Sequence, residues 1–195
     1  MSQTSIQLEQ HQGISLLRLQ SGDGMNRLTQ TCVVSLTETL HGLRREACTL
    51  VIAGNSHFFS VGANLEEIAT LKGPAAYQFC RLGQGLMAAI ENFPAPVYAA
   101  ISGYCMGGGL DLALSCHRRI ASPNAIFGHR GAALGLITGW GGTQRLPRLI
   151  GKARALEMFV AAGKVSAAQA LRMGLIDRIA EDPIAETCRW IRDMR

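Results

Sequence analysis

Short apolar runs of strand length recur along this chain and are separated by longer amphipathic stretches. The runs TLVIA (49–53) and VYAAI (97–101) are wholly apolar, and ISLLRL (14–19) and RRIA (118–121) extend the series. An unbroken apolar run of this length is typical of a parallel strand that is covered on both faces. A last short strand is predicted from Leu175 to Ala180.

Between these runs, apolar residues recur at the spacing of a helix. The clearest case is Thr29 to Arg45, where Val33, Leu36 and Leu40 follow one another at intervals of three and four. Further helices are predicted over 64–71, 75–91, 107–116, 143–149, 152–162 and 166–173, and from Pro183 onward. Strands that alternate with helices indicate an α/β protein.

Composition narrows the classes of function. A chain of 195 residues fits one domain, and its net charge of +5 is carried by scattered basic residues, so we expect no nucleic acid partner. The six cysteines form no Cys-x-x-Cys pair, and the first residues lack the pattern of a signal peptide. Prolines and glycines interrupt the longest uncharged run, which lies between Glu91 and Asp111. We therefore expect a cytoplasmic protein without a membrane span.

The segment with most chemical information is VYAAISGYCMGGGLDLAL (97–114), in which a buried strand runs into a glycine turn and then a helix. Consecutive glycines at a helix start expose backbone N–H groups at the positive end of the helix dipole, which suits an anion or a developing oxyanion. The alternative is a tight turn or close packing of helix on strand. The spacing matches neither the dinucleotide fingerprint nor the phosphate loop.

A thiol hydrolase is a competing interpretation of this turn. Gly103-Tyr104-Cys105-Met106-Gly107 has the form of a nucleophile elbow with cysteine at its centre. That mechanism needs a histidine late in the chain, after an acid. The histidines stand at 11, 41, 57, 117 and 129, none of them in the final third, which disfavours it. A metal site made of Cys105, Cys116 and His117 lacks a fourth ligand and a recognised spacing, so we expect no metal.

Four motifs in a fixed order carry a resemblance to a known family. SVGANL (60–65) resembles the GADL loop of the crotonase (enoyl-CoA hydratase/isomerase) superfamily, and GYCMGGGLDLAL (103–114) resembles its second oxyanion segment. GGTQRLPRLIG (141–151) and AQALRMGLID (168–177) resemble downstream signatures of the same superfamily. The resemblance implies a spiral of ββα units over 1–180, with a mostly parallel core sheet and outer helices.

The resemblance also implies a substrate and a binding path. Crotonase-like enzymes bind a coenzyme A thioester, and the backbone N–H groups of Ala63 and Gly108 would stabilise the enolate oxygen. The partner would be acyl-CoA or a thioester on a carrier protein, with no separate cofactor. The positions implied to line its path are Arg27, Leu28, Gly62, Asn64, Leu65, Gly107, Gly131 and Trp140. A surface role for Arg27 and a helix-capping role for Trp140 are the alternatives.

The resemblance further implies a homo-oligomer, a trimer or hexamer. Family members continue after the GLID segment with a longer helical portion that takes part in assembly. Residues 181–195 supply about one helix here, so we expect this portion to be shortened and the interface to be smaller.

The acid/base positions depart from the family pattern. Hydratases of the family use two glutamates, but Asp111 stands at the first position and Gly131 at the second. If the stretch 127–135 is extended, His129 points the same way as residue 131 and offers an alternative base. Asp111 as a helix-stabilising carboxylate and His129 as a rim histidine bonded to backbone are the structural alternatives.

Three functions therefore remain open. The first is an enoyl-CoA hydratase or isomerase that works with Asp111 and His129. The second is a decarboxylase, because loss of carbon dioxide forms the enolate without a base. The third is a non-catalytic acyl-CoA-binding subunit.

Overall fold

The computed structural model describes residues 3–11, 13–46 and 48–194. The strands are β1 (Ser5–His11), β2 (Ile14–Gln20), β3 (Arg27–Leu28), β4 (Thr49–Ala53), β5 (Phe58–Ser60), β6 (Gly62–Ala63), β7 (Val97–Ile101), β8 (Tyr104–Met106), β9 (Arg118–Ala121), β10 (Ile126–Gly128), β11 (Val165–Ser166) and β12 (Arg178–Ile179). The α-helices are α1 (Gln30–Leu43), α2 (Leu65–Thr70), α3 (Pro74–Glu91), α4 (Gly108–Ser115), α5 (Gly142–Ile150), α6 (Lys152–Ala161), α7 (Ala167–Arg172) and α8 (Pro183–Asp193), and a 3-10 helix covers Gly131–Leu134.

Within the described residues, the larger sheet has the strand order β1-β2-β4-β7-β9-β12, and only the pairing of β1 with β2 is antiparallel. A second sheet has the order β11-β10-β8-β5, and β3 pairs with β6 in a third. Strands β4, β7 and β9 of the larger sheet are each followed by a strand of the second sheet, β5, β8 and β10, before the chain turns into helix. This repeated unit is the predicted ββα spiral with a mostly parallel core sheet.

The apolar runs are explained by two covered sheet faces. Along β7, Val97, Ala99 and Ile101 enter the main core with the helices, whereas Tyr98 and Ala100 enter a second core on the opposite face. Helix α8 covers that second face through Ile191. Alternate residues of a strand point to opposite faces, so a strand buried on both sides must be apolar throughout.

The sequence pattern missed several strands. β1 was not predicted, because SIQLEQH alternates at the sheet edge and leaves Leu8 45% exposed. The short strands β3, β5, β6, β8, β10 and β11 were also missed, since each has only two or three residues. The strand predicted over 175–180 is wrong in extent. Leu175 and Ile176 follow α7, and their N–H groups both donate to the carbonyl of Ala170 within that helix. Strand pairing is therefore confined to β12.

Helix α8 packs on the larger sheet through Ile191. The predicted division into a domain over 1–180 and a short C-terminal helix over 181–195 stays a prediction. Among the described residues, no helix is long and apolar enough to cross a membrane.

Candidate functional site

A cavity of about 680 Å³ lies between the start of α4, helices α2 and α3, and the segment 131–140. Apolar side chains form most of its walls, among them Ile68, Leu71 and Phe79. Asp111 is the only acidic residue that the described part of the chain contributes to the lining. The cavity therefore combines an apolar wall with a small polar end.

Two backbone segments meet at this cavity, Gly62-Ala63 and Gly107-Gly108. A Cβ atom on Gly62 would lie 2.7 Å from the Gly108 nitrogen, and a Cβ atom on Gly108 would lie 3.3 Å from the Ala63 nitrogen. Gly108 opens α4, so its N–H has no acceptor within the helix and lies at the positive end of the helix dipole. Ala63, Gly107 and Gly108 all line the cavity.

Glycine is required for this close approach. Gly62 has φ +91° and Gly107 φ +51°, conformations that residues with a Cβ atom rarely adopt. A Cβ atom on Gly109 would lie 2.5 Å from the Ser60 carbonyl oxygen. Ser60 is itself fixed, because its hydroxyl accepts from the Gly62 N–H at 3.0 Å and donates to the Asn26 carbonyl at 2.7 Å. The triple glycine thus serves both the exposed helix start and close packing.

A cluster of buried polar side chains lies one helical turn further on. Asp111 is fully buried, and its Oδ1 lies 3.3 Å from His129 Nε2. The Thr138 hydroxyl donates to Asp111 Oδ2. The structure thus brings together the two predicted acid/base residues and adds a third polar group.

Burial controls the protonation of this cluster. It raises the pKa of Asp111 to about 7, against smaller opposing effects of the Thr138 hydrogen bond and of Arg145. Burial also lowers the pKa of His129 to about 4. Near neutral pH the histidine is therefore uncharged, and the protonated and ionised forms of the carboxyl are both populated.

The expectation that His129 and Gly131 share an extended stretch is wrong. Strand β10 ends at Gly128, and Gly131 begins the 3-10 helix. The Leu136 N–H bonds the Gly131 carbonyl at 2.9 Å, which closes a turn. Both residues line the cavity all the same. A Cβ atom on Gly131 would lie 2.8 Å from the Leu136 carbonyl oxygen, so this backbone has no room for a glutamate.

Trp140 forms part of the cavity wall. Its ring packs on Phe79 with centroids 5.2 Å apart, and its Nε1 donates to the Phe79 carbonyl at 3.3 Å. Gly83 makes room for the indole, since a Cβ atom there would lie 2.2 Å from Nε1. The alternative that Trp140 caps the next helix is wrong, because the N-cap of α5 is Gly141 and no side chain bonds there.

Of the other predicted path residues, only some line the cavity. Leu65 is 54% exposed and lines it, whereas Asn64 caps α2 by accepting the Glu66 N–H at 3.0 Å. Leu28 is fully buried in the main core and is absent from the lining. Arg27 is also outside the lining and pairs with Asp23, whose pKa it lowers. A phosphate contact by Arg27 remains a prediction.

Cys105 lacks the environment of a nucleophile. Its side chain is fully buried, its Sγ lies 3.5 Å from the Gly109 carbonyl oxygen, and burial raises the pKa of the thiol well above its ordinary value. Among the described residues, no group of three or more His, Cys, Asp or Glu side chains is arranged to hold a metal ion.

Sequence reasoning missed Thr138, Gly142 and Gly83. A Cβ atom on Gly142 would lie 2.1 Å from Asp111 Oδ1 and 3.0 Å from His129 Nε2. No periodicity marks these residues, because they act through contacts between distant segments. A threonine inside the otherwise apolar LGLITGW (134–140) was the one available signal.

The ββα spiral and the glycine-built junction at the cavity define a protein of the crotonase superfamily. The family model described as enoyl-CoA hydratase/isomerase matches residues 9–192. The chain belongs to this enoyl-CoA hydratase/isomerase family, whose members are lyases and isomerases.

Similar proteins agree with this membership. The chain is 44% identical over 146 residues to a probable enoyl-CoA hydratase of Bacillus subtilis, which covers 74% of this chain and 55% of that protein. It is 33% identical over 184 residues to a crotonyl-CoA hydratase of Syntrophomonas wolfei, with 93% and 71% covered. The crystal structure of an enoyl-CoA hydratase from Thermoplasma volcanium superposes with a TM-score of 0.92 at 29% identity, over 97% of this chain and 76% of that one. The chain thus spans about half the length of the B. subtilis relative.

Proposed function

We propose that the chain acts on an acyl thioester by stabilising its enolate, as an enzyme of the enoyl-CoA hydratase type. The observation that carries the proposal is the meeting of Gly62-Ala63 with Gly107-Gly108 in a cavity that also holds Asp111 and His129. The N–H groups of Ala63 and Gly108 bind the thioester oxygen. Because they belong to fixed backbone, they need no reorganisation as negative charge develops on that oxygen.

Asp111 and His129 form the proton-transfer pair. In hydration, water adds to the β carbon and gives a proton to the pair, while the α carbon receives a proton from it. One proton enters and one leaves, so the pair returns to its starting state. A carboxyl whose pKa is about 7 suits both halves of this cycle, because it is neither a very weak base nor a very weak acid at neutral pH.

The substrate is an acyl-CoA or a thioester on a carrier protein. The apolar wall of Ile68, Leu71 and Phe79 suits an acyl chain. Arg130 and Lys164 also line the cavity and are exposed, which suits the negative charges of either thioester carrier. No further cofactor is needed for this chemistry.

Decarboxylation is the second candidate, favoured by the single carboxylate among the described lining residues. Loss of carbon dioxide from a malonyl-type thioester leaves the enolate directly, and no base is required. Asp111 in its protonated form then supplies the proton to the α carbon. The same backbone N–H groups stabilise the enolate in both reactions.

A cytoplasmic location and a homo-oligomer, trimer or hexamer, complete the proposal. All six cysteines are free, which fits a reducing compartment. Large apolar side chains near the cavity are strongly exposed, including Ile137 at 65% and Val160 at 70%. Where such residues form a contiguous patch, they suit a surface that another chain covers.

The experiment measures reaction and binding side by side. Crotonyl-CoA hydration is followed by loss of the enoyl absorbance, and malonyl-CoA and methylmalonyl-CoA are assayed for release of carbon dioxide. Calorimetric titration with acetyl-CoA measures binding. Hydration supports the first candidate, and decarboxylation alone supports the second. Binding without turnover indicates a non-catalytic subunit, and absence of binding to any acyl-CoA or acyl-carrier thioester refutes the thioester site.

A further inference from the structure

Thr138 occupies a defined place in the hydrogen bonds of the buried cluster. Its hydroxyl oxygen lies 3.4 Å from the Trp140 backbone nitrogen, which donates to it, and the hydroxyl donates in turn to Asp111 Oδ2. A hydroxyl carries only one proton. Since that proton is directed at Oδ2, Oδ2 acts as an acceptor in this arrangement.

The other oxygen of Asp111 has a different neighbour. Oδ1 lies 3.3 Å from His129 Nε2, and in the described part of the chain neither of these buried atoms has a partner that satisfies hydrogen-bond geometry. Unsatisfied buried polar atoms cost free energy. A proton on Oδ1 lets the two atoms engage one another when uncharged His129 carries its ring proton on Nδ1, because Nε2 is then an acceptor.

From this geometry we infer that Thr138 is a positioning residue, whose hydroxyl reserves Asp111 Oδ2 as an acceptor and so keeps the acid proton on Oδ1, facing His129. The catalytic consequence rests on the proposed function. The arrangement itself rests on hydrogen bonds and burial. Without the hydroxyl, the proton has no preference between the two oxygens, and the ionised carboxylate loses its nearest donor.

Among the groups around Asp111, Thr138 is the one whose hydrogen bond fixes the role of Oδ2. Helix α5 contributes Arg145, whose guanidinium is engaged by Glu91 at 2.7 Å and by the Trp140 carbonyl at 3.3 Å. Strand β8 contributes the buried thiol of Cys105, and the end of β10 contributes His129. Both Thr138 and Arg145 lower the pKa of Asp111, and Thr138 has the larger effect of the two.

Gly142 supplies the space in which the cluster closes. A Cβ atom there would lie 2.1 Å from Asp111 Oδ1, 2.9 Å from Thr138 Cγ2 and 3.0 Å from His129 Nε2. A methyl group at residue 142 would therefore intrude where the three side chains approach one another. The backbone of α5 and the Thr138 side chain together hold the pair in place.

The test replaces the hydroxyl by a methyl group of similar size. Thr138→Val is compared with Thr138→Ser, which keeps the hydroxyl, and with the matched control Thr143→Val in the first turn of α5. The titration of Asp111 is followed by carbon NMR of protein labelled at the aspartate carboxyl carbons, with Asp111→Asn assigning the signal. This readout does not depend on activity. The pH profile of crotonyl-CoA hydration is recorded for the same proteins.

We expect Thr138→Val to raise the Asp111 midpoint by about one pH unit, because the ionised form loses a hydrogen bond. Turnover should fall roughly 10- to 100-fold with little change in KM, as for a misplaced proton-transfer group. Thr138→Ser should restore both quantities, and Thr143→Val should change neither.

An Asp111 midpoint that is the same in Thr138→Val and Thr143→Val overturns the inference. A shifted midpoint in a protein that hydrates no enoyl thioester leaves the positioning role standing and refutes the proposed hydration instead. The two failures are therefore distinguishable.

Discussion

The two ends of the cavity are built by different means. At one end, Gly62-Ala63 and Gly107-Gly108 present backbone atoms, and glycines allow their close approach. At the other end, the side chains of Asp111, His129 and Thr138 are brought together from separate segments and are tuned by burial. The backbone end follows the pattern that the family resemblance implies, whereas the side-chain end departs from it.

This difference explains which part of the site tolerates sequence change. A backbone N–H group survives any substitution that leaves the main chain in place, so the backbone end is constrained chiefly at its glycines. A side-chain acid or base is replaced by one substitution, as at Asp111 and Gly131. Under the proposed function, a chain can therefore keep its enolate-binding backbone while its proton-transfer groups change.

The largest effect is expected from Asp111→Asn, which removes the proposed proton-transfer group and keeps its shape. Turnover should fall roughly 10²- to 10⁴-fold, the usual range for a lost general acid or base, while thioester affinity changes little. Glu66→Gln is the matched control, because Glu66 is also a first-turn carboxylate but is exposed on α2. Steady-state kinetics and calorimetric titration measure the two quantities.

The opposite result would identify Asp111 as a structural carboxylate. In that case Asp111→Asn would keep full turnover, and its effect would be confined to the free energy of unfolding, because the carboxyl is buried and hydrogen-bonded by Thr138. His129 would then become the first candidate for the acid/base role.

The backbone end is tested by Gly62→Ala. The new methyl group would lie 2.7 Å from the Gly108 nitrogen and the Met106 carbonyl oxygen, so it should push the two segments apart. We expect kcat/KM to fall about 10²- to 10³-fold, as when one oxyanion donor is lost. Gly174→Ala is the control for backbone strain, because Gly174 has φ +80° and its nearest neighbour, Leu149 O, is 4.0 Å from the added atom.

Both variants should lose similar stability from the positive φ, about 1–2 kcal/mol by thermal denaturation. Only Gly62→Ala should lose activity beyond what its folded fraction explains. Equal activity in the two variants would contradict a catalytic role for the junction between Gly62 and Gly108.

The backbone end was accessible from the sequence for a physical reason. Consecutive glycines between a strand and a helix predict an exposed helix start at Gly107 and Gly108, and the family resemblance adds Ala63 as the second segment. The buried strands were equally clear, because β4 and β7 are apolar on both faces. The length and the apolar composition of each strand are enough to predict it, without knowledge of its neighbours in the sheet.

The side-chain end was accessible only in part. Asp111 was predicted from its motif position and His129 from an assumed extended stretch, but their 3.3 Å approach depends on how α4 lies against the end of β10. Thr138 and Gly142 act across contacts that are even more distant along the chain, and neither the isolated threonine nor the GGTQRLPRLIG motif shows that they meet Asp111. The assumed extended stretch failed at Gly131, because a 3-10 turn stabilised by the Leu136 N–H begins there.

A smaller effect is expected at the apolar wall. Gly83→Ala would place a methyl group 2.2 Å from Trp140 Nε1 and so displace the indole from the Phe79 carbonyl. Overpacking of this kind typically costs about 1–3 kcal/mol. Gly85→Ala, on the same helix with no atom within 4 Å, should instead stabilise the protein by about 0.5–1 kcal/mol. Thermal denaturation and tryptophan fluorescence compare the two.

A shift of the fluorescence only in Gly83→Ala would confirm that the indole moves. If both variants were equally stable and equally fluorescent, the close packing of Trp140 against α3 would be wrong. The acyl preference of Gly83→Ala should then be unchanged as well.

The smallest expected signal is a change in how stability depends on pH. The pKa of Asp111 is raised from 3.8 to about 7, so its contribution is present below about pH 4 and is lost as pH rises toward 7. The pKa of His129 is lowered from 6.5 to about 4, so its contribution is present above about pH 6.5 and is lost as pH falls toward 4. The two slopes have opposite signs and largely cancel in the wild-type protein between pH 4 and 6.5.

Replacing either Asp111 or His129 should reveal how the other residue makes the free energy of unfolding depend on pH. Relative to the wild type, His129→Gln should make the free energy of unfolding fall as pH rises, and Asp111→Asn should make it rise, each by up to about 1.4 kcal/mol per pH unit. Urea denaturation between pH 4.5 and 6.5 measures both slopes. Parallel curves for the two variants would mean that the pair does not titrate as its burial requires. The side-chain end would then resemble the backbone end, with its charge state fixed across this range.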